Sequence, residues 1–230
     1  MTKIFIDAGH GDFDSGAVGN NIQEKDIALS LALKIERKLK DFENVETMLS
    51  RDTDTFLKLA ERTDKANDWG ADCFVSLHCN STDSANPKGF ETFIYNGSVG
   101  SDTIAFQNVM HQEILKQIGN QVQDRGKKRA NFHVLRESKM NAILGENLFV
   151  SNASDAALLK QEPFLERVVQ GYVNGLQAFY GLERTIRPPT EEPDDELYQV
   201  IAGTYSNYQN ALIQAEKLRK DGYAVYIKKA

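Results

Sequence analysis

Strand-like apolar runs alternate with helix-like amphipathic stretches between residues 3 and 180, and that alternation restricts the chain to layered α/β architectures. Residues 3–8 (KIFIDA) read as a strand ending in the glycine-rich AGHG, and Glu24 to Asp41 sets Ile27, Leu31, Ile35 and Leu39 on one helical face. The pattern recurs in VETMLS (45–50), a helix-like stretch from Phe56 to Trp69, ADCFVSL (71–77) and GFETFIY (89–95). Residues 103–118 and 162–180 have helical spacing, and HVL (133–135) and AIL (142–144) between them read as short strands. The near-continuous apolar character of 71–77 suits a strand covered on both faces. The expected fold class is α/β, a mostly parallel or mixed sheet flanked by helices, with a small C-terminal βαβ unit.

Composition then divides the chain. Residues 183–196 (ERTIRPPTEEPDDE) hold three of the five prolines and six acids against two bases, the signature of a linker. The expected organisation is a globular domain over 1–182, an acidic linker over 183–196 and a βαβ unit over 197–230. The helix of that unit runs from Asn207 to Lys220, between the strands LYQVIAG and YAVYIKK. A formal net charge of −6 supplies no basic field to collect nucleic acid or anionic lipid. No apolar run approaches the roughly 20 residues of a membrane span. Neither a nucleic-acid nor a membrane partner is expected. The start MTKIFIDAGHG lacks the basic head and apolar stretch of a secretory signal. Cys73 and Cys79 fall in one strand at a separation of about 20 Å, too far apart to pair. The chain is therefore read as a reduced protein synthesised in the cytoplasm without a signal peptide.

Four residues carry the chemistry. His10 follows the first strand, Glu24 opens the first helix and His78 follows the strand 71–77, so all three meet at the carboxyl edge of an open α/β sheet, where such folds place ligands. Glu146, just after AIL, joins them. Two imidazoles and one carboxylate are a common zinc set that leaves one position for water. Spacing alone leaves other roles open. The histidines serve equally as turn and strand-end residues satisfied by backbone, Glu24 as a first-turn acid complementing the helix dipole, and Glu146 as a partner for Arg136. Arg136 is itself the candidate for stabilising substrate or a tetrahedral oxyanion, with Glu137 a competing partner. Asn80 either orients His78 or the substrate, or closes a turn before Ser81. His111, between Gln107 and Gln112, is expected at the surface, and His133 either lines the cleft or packs. Phe13, Tyr95 and Phe132 stack on sugars or fill the core, and Cys79 faces away from His78.

Separated segments then point one way. FIDAGHGDFDSGAVGNNIQEKD, ERTDKANDWGAD, FVSLHCNS and NFHVLRESKMNAILGENLFVSN together resemble the amidase-3 family of zinc-dependent N-acetylmuramoyl-L-alanine amidases, across essentially all of 1–182. The resemblance implies that His10, Glu24 and His78 bind Zn2+ and that Glu146 is the catalytic carboxylate. It further implies peptidoglycan as substrate, cut at the amide between the lactyl group of N-acetylmuramic acid and L-alanine. The sequence departs from the family at the turn, GHGDFD, and after Glu146. There the family's E-x-G-F-x-S-N pattern becomes Glu146, Asn147, Leu148, Phe149, which alters the pocket wall more than the chemistry. The alternative, a non-catalytic wall-binding protein with a degenerate site, conflicts with the intact four residues.

Residues 197–230 resemble one half of a sporulation-related (SPOR) repeat, a family that binds glycan strands. A single half exposes an apolar face (Val200, Ala202, Leu212, Leu218, Val225, Ile227), and the expected cover is the same unit of another chain, giving a homodimer through 197–230. The rival is docking on its own catalytic domain. Action on the wall after release or export fits both a sporulation autolysin and a phage endolysin.

Overall fold

A computed structural model describes residues 1–185, Gly203, 206–220, Val225 and Ile227. The chain divides into two compact units, Met1–Ile186 and Arg187–Ala230. In the first unit β1 (Thr2–Ala8), β4 (Val45–Leu49), β5 (Cys73–Asn80), β6 (Phe90–Tyr95), β7 (Asp124–Ala130) and β8 (Asn141–Phe149) form one sheet, and β2 (Val18–Gly19) and β3 (Ile22–Gln23) a separate hairpin. The helices are α1 (Glu24–Leu39), α2 (Leu59–Trp69), α3 (Ser101–Ile118), α4 (His133–Arg136), α5 (Ala153–Leu159) and α6 (Glu162–Tyr180).

Alternation along β1 sorts its side chains between two cores. Ile4, Ile6 and Ala8 join Leu31 and Ile35 of α1, Ile114 of α3 and Val169 and Val173 of α6, whereas Phe5 joins Phe74, Ala66 of α2 and Leu135 of α4. The Phe5 and Phe74 rings stack at 5.3 Å. The sheet is thus sandwiched, and each buried Leu, Ile or Phe contributes roughly 1.5–3 kcal/mol. Helix α1 has Glu24 and Asp26 in its first turn and Arg37 and Lys38 in its last, each end opposing the local dipole charge.

Strand order is β4-β1-β5-β8-β6-β7. The first four run parallel, but β6 is antiparallel to β8 and β7 follows β6. The carboxyl ends of β1, β5 and β8 therefore share an edge with the amino ends of β6 and β7. That reversal decides which residues reach the site.

Two sequence expectations change. HVL (133–135) is not a strand but part of α4, because Val134 and Leu135 turn together into the smaller core. Strand β7, DRGKKRA, was not expected at all: as an edge strand it carries Lys and Arg in place of the apolar alternation that marks buried strands. Residues 183–185, counted with the linker, bond back to the 41–43 loop, Glu43 N–H donating to the Glu183 carbonyl and Thr185 N–H to that of Asp41, both at 2.8 Å. In the second unit α7 (Tyr208–Lys220) matches the expected helix. The two strands expected beside it lie, but for Gly203, Val225 and Ile227, outside the described residues, and the tail-to-tail dimer with them. Among the described residues no helix is long and apolar enough to cross a membrane.

Candidate metal centre

At the carboxyl edge of β1 and β5, His10, Glu24 and His78 converge, their ligand atoms all within 4.8 Å of one another. His10 Nε2 lies 3.2 Å and His78 Nδ1 2.8 Å from the same oxygen, Glu24 Oε1. The rings meet edge to face, with centroids 4.9 Å apart. Glu24 is buried at the first position of α1, and backbone fixes it: Cys79 N–H donates to Oε1 at 2.9 Å and Ala17 N–H to Oε2 at 2.7 Å. His10 Nδ1 donates to Asp14 at 2.9 Å, which orients the ring and aims Nε2 at Glu24. Two nitrogens directed at one carboxylate are a donor set for which a divalent cation competes with protons, so the residues fit a metal.

The local sequence is shaped for this approach. His10 sits at φ 61°, a conformation non-glycine residues seldom adopt, between two glycines. A Cβ on Gly9 would come within 2.4 Å of His78 Cε1, so only glycine admits that ring. On Gly16, at φ +63°, a Cβ would meet Glu24 Oε2 and His10 Cδ2 at 2.6 Å. Two arginines pin the loop through backbone carbonyls. Arg51 donates to Ala8 (Nε, 3.1 Å), Gly9 (Nη2, 2.9 Å) and Lys25 (Nη2, 2.8 Å). Arg62, bonded to buried Asp7 at 2.8 Å, donates to Ala8 and His10 at 2.6 and 2.7 Å. Asp7 also accepts from Ser76; burial raises its carboxyl, but Arg62 outweighs that and holds it below the usual range.

Glu146 is the register partner of His78 across β5 and β8, so the two share a sheet face. Its Oε2 is buried and, among the described residues, has no hydrogen-bond partner. Burial pushes its carboxyl up to about 7, with His78 opposing and Glu24 and Glu91 reinforcing the rise. Glu24 is driven the other way: burial favours its neutral form, but the two imidazoles overcome it and hold the carboxyl far below the carboxylate range. Burial likewise opposes charge on His78, yet Glu24 carries it up to about 9. Behind Glu146, Asn147 Nδ2 donates to the His78 carbonyl at 3.0 Å, and Tyr172 Oη donates to Asn147 Oδ1 at 3.1 Å.

His10, Glu24, His78 and Glu146 thus share one edge, but Arg136 does not join them. It ends α4 in the β7–β8 connection, which the strand reversal puts at the opposite edge. There its Nε donates to Glu137 at 2.7 Å and its Nη1 to Asn131 at 2.6 Å. His133, Phe132 and Tyr95 lie at that far edge too, which removes them from the cleft, whereas Phe13 is exposed in the His10 loop against Phe56. His111 is buried, not superficial, bonded to Thr92 at 3.0 Å and Asp124 at 2.9 Å. Asn80 donates to Glu91 rather than to His78. Cys73 and Cys79 are free and buried. Sequence reasoning overlooked Glu91, Arg125, Arg51 and Arg62; the polar residues in FETFIY and DRGKKRA were the signal for the first two, and Arg62 lies within ERTDKANDWGAD.

Comparison with known proteins agrees with this geometry. The family model for N-acetylmuramoyl-L-alanine amidase matches residues 4–178. The sporulation-specific N-acetylmuramoyl-L-alanine amidase of Bacillus subtilis is 41% identical over 224 residues, covering 97% of this chain and 83% of that one. An endolysin of Bacillus phage SPP1 is 43% identical over 187 residues, 80% of this chain and 68% of the relative. The solved catalytic domain of CwlV, an N-acetylmuramoyl-L-alanine amidase from Bacillus (Paenibacillus) polymyxa var. colistinus, superposes with a TM-score of 0.75 at 41% identity, over 80% of this chain and all of that one. The chain belongs to the N-acetylmuramoyl-L-alanine amidase family, a family of peptidoglycan hydrolases.

Proposed function

We propose that this amidase hydrolyses the bond between the lactyl group of N-acetylmuramic acid and L-alanine with zinc held by His10, Glu24 and His78, and with Glu146 as the catalytic carboxylate. The observation that carries this assignment is the orphaned Glu146 Oε2 beside the three convergent ligands. When bound, zinc supplies a Lewis acid that lowers the pKa of a water toward about 7 and polarises the scissile carbonyl.

The protein's own groups do the rest. Asp14 holds His10 by its outer nitrogen, and the backbone N–H groups of Ala17 and Cys79 hold Glu24. Glu146 takes a proton from the attacking water and hands it to the departing alanine nitrogen. Its enclosed Oε2, without a protein partner among the described residues, leaves that carboxyl free to take up the proton and release it. Digestion of purified walls is expected to release new L-alanine N-termini without new reducing sugars. Reducing ends instead would identify a glycosidase.

We place the enzyme with the sporulation amidases: its likeness to the sporulation-specific relative spans 97% of the chain, tail included, against 80% for the phage endolysin. Synthesis in the cytoplasm and action after envelope opening follow from that setting, and expression confined to late sporulation tests it. Residues 197–230 take the wall-binding role, paired tail to tail in a homodimer. Light scattering that finds the full chain monomeric at tens of micromolar excludes the pairing.

A further inference from the structure

Next to Glu146 lies a second group of buried charge that the hydrolysis itself does not use. Glu91 of β6 is the register partner of Glu146 and is buried. Its Oε1 accepts from Asn80 Nδ2 at 2.7 Å, its Oε2 from Arg125 Nε at 2.8 Å, and Lys128 Nζ also reaches Oε2. One carboxylate thus faces two cations. The Arg125 guanidinium lies over the Phe149 ring, Cζ 4.7 Å from its centroid, and the side chain is 26% exposed. Its Nε is committed to Glu91, whereas among the described residues its two Nη groups have no hydrogen-bond partner. A buried ion pair adds little stability over apolar packing, so a second cation at the cleft edge calls for another role.

Position suggests the role. His78, Glu146 and Glu91 form a row across β5, β8 and β6, and Arg125 extends it onto β7. With strands about 4.8 Å apart, Arg125 stands roughly 10 Å from Glu146 along the edge. An extended peptide advances about 3.3 Å per residue, so a side group about two residues beyond the scissile amide arrives there. We propose that Arg125, braced by Glu91 and the Phe149 ring, is a carboxylate-binding subsite that reads an acidic stem peptide on the leaving-amine side of the cut. A guanidinium with both Nη groups presented matches a carboxylate in a bidentate fork, which uncharged sugar hydroxyls do not offer. The assignment rests on the amidase reading above.

The test compares two soluble muramoyl-L-alanyl peptides, one with a free carboxylate on the second residue and one with the carboxamide there. Wild-type enzyme is expected to favour the carboxylate in kcat/KM by about 10–100-fold, the scale of a charge-assisted hydrogen bond pair. In Arg125→Gln that preference collapses toward unity through a rise in KM for the carboxylate peptide. Arg125→Lys, which keeps the charge but loses the fork, retains part of it, and thermal melts confirm that both variants fold. Equal losses on both peptides, or no wild-type preference, overturn the subsite while leaving the amidase reading intact. Failure of wild-type enzyme to cut either peptide overturns both.

Discussion

Glu24 and Glu146 are two carboxylates at one edge of one sheet, the first buried and the second half-buried with its Oε2 enclosed, and their surroundings drive them in opposite directions. Glu24 receives two imidazoles and two backbone N–H groups and stays ionised; Glu146 has an oxygen with no partner among the described residues, acidic neighbours in Glu24 and Glu91, and in the metal-free protein is pushed up to about 7 by burial. On the proposed reading, that difference separates a ligand from a proton carrier: the same side chain acquires either role according to how many donors its pocket supplies.

The largest effect that follows is on activity. Glu146→Gln is expected to lower kcat about 10²–10⁴-fold while the purified protein keeps about one zinc per chain. Glu24→Gln is expected to lose the metal and the activity together. Elemental analysis beside a wall-digestion assay separates the two outcomes, and a Glu146→Gln protein that had lost its zinc would erase the contrast between the sites.

Titration of the metal-free protein sharpens the contrast further. His78 is raised from 6.5 to about 9, so its charge stabilises the fold fully below pH 6.5 and that stability is lost as pH rises toward 9. Glu146 is raised from 4.5 to about 7, so it resists ionisation and weakens the fold as pH climbs from about 4.5 to 7, with no further loss above that. The signs agree, and above pH 6.5 the loss comes mainly from His78: chelated protein should lose several °C of Tm between about pH 6.5 and 9. On the proposed reading, zinc would take the place of the proton at His78, and zinc-loaded protein is expected to show a flatter fall. A metal-free Tm that rises across the same window contradicts the ion pairing of His78 with Glu24.

Most of the framework was legible because it is built from periodic apolar residues. The helices at 24–39, 101–118 and 162–180 and the strands β1, β4, β5 and β6 all carry their pattern in the chain. The candidate ligands were legible because they lie at the ends of such elements. What escaped was direction. Neither FETFIY nor DRGKKRA states which way its strand runs, and the reversal of β6 and β7 sends Arg136 to the far edge and brings Arg125 to the near one. His111 escaped for a related reason: its polar helical neighbours suggest solvent, but Phe90 stacks on its ring at 5.4 Å and Thr92 and Asp124 satisfy its nitrogens.

The smallest effect lies in the backbone just past Glu146, where the resemblance to the amidase pattern calls for glycine and this chain has Leu148. Its φ is 70°, in the left-handed region, which explains why glycine suits the position and costs a leucine about 1–2 kcal/mol. The side chain is 1% exposed, and burial of roughly 1.5–3 kcal/mol offsets that strain. Shortening the side chain removes the burial in either of two ways. Leu148→Ala keeps the left-handed penalty, whereas Leu148→Gly releases it, so the glycine variant should be the more stable of the two by about 1 kcal/mol. That reverses the order found at ordinary strand positions, where glycine is the worse residue. Denaturant midpoints of the two variants decide it: an alanine variant equal to or above the glycine variant shows that the chain does not hold the left-handed turn that carries β8 from Glu146 into Phe149.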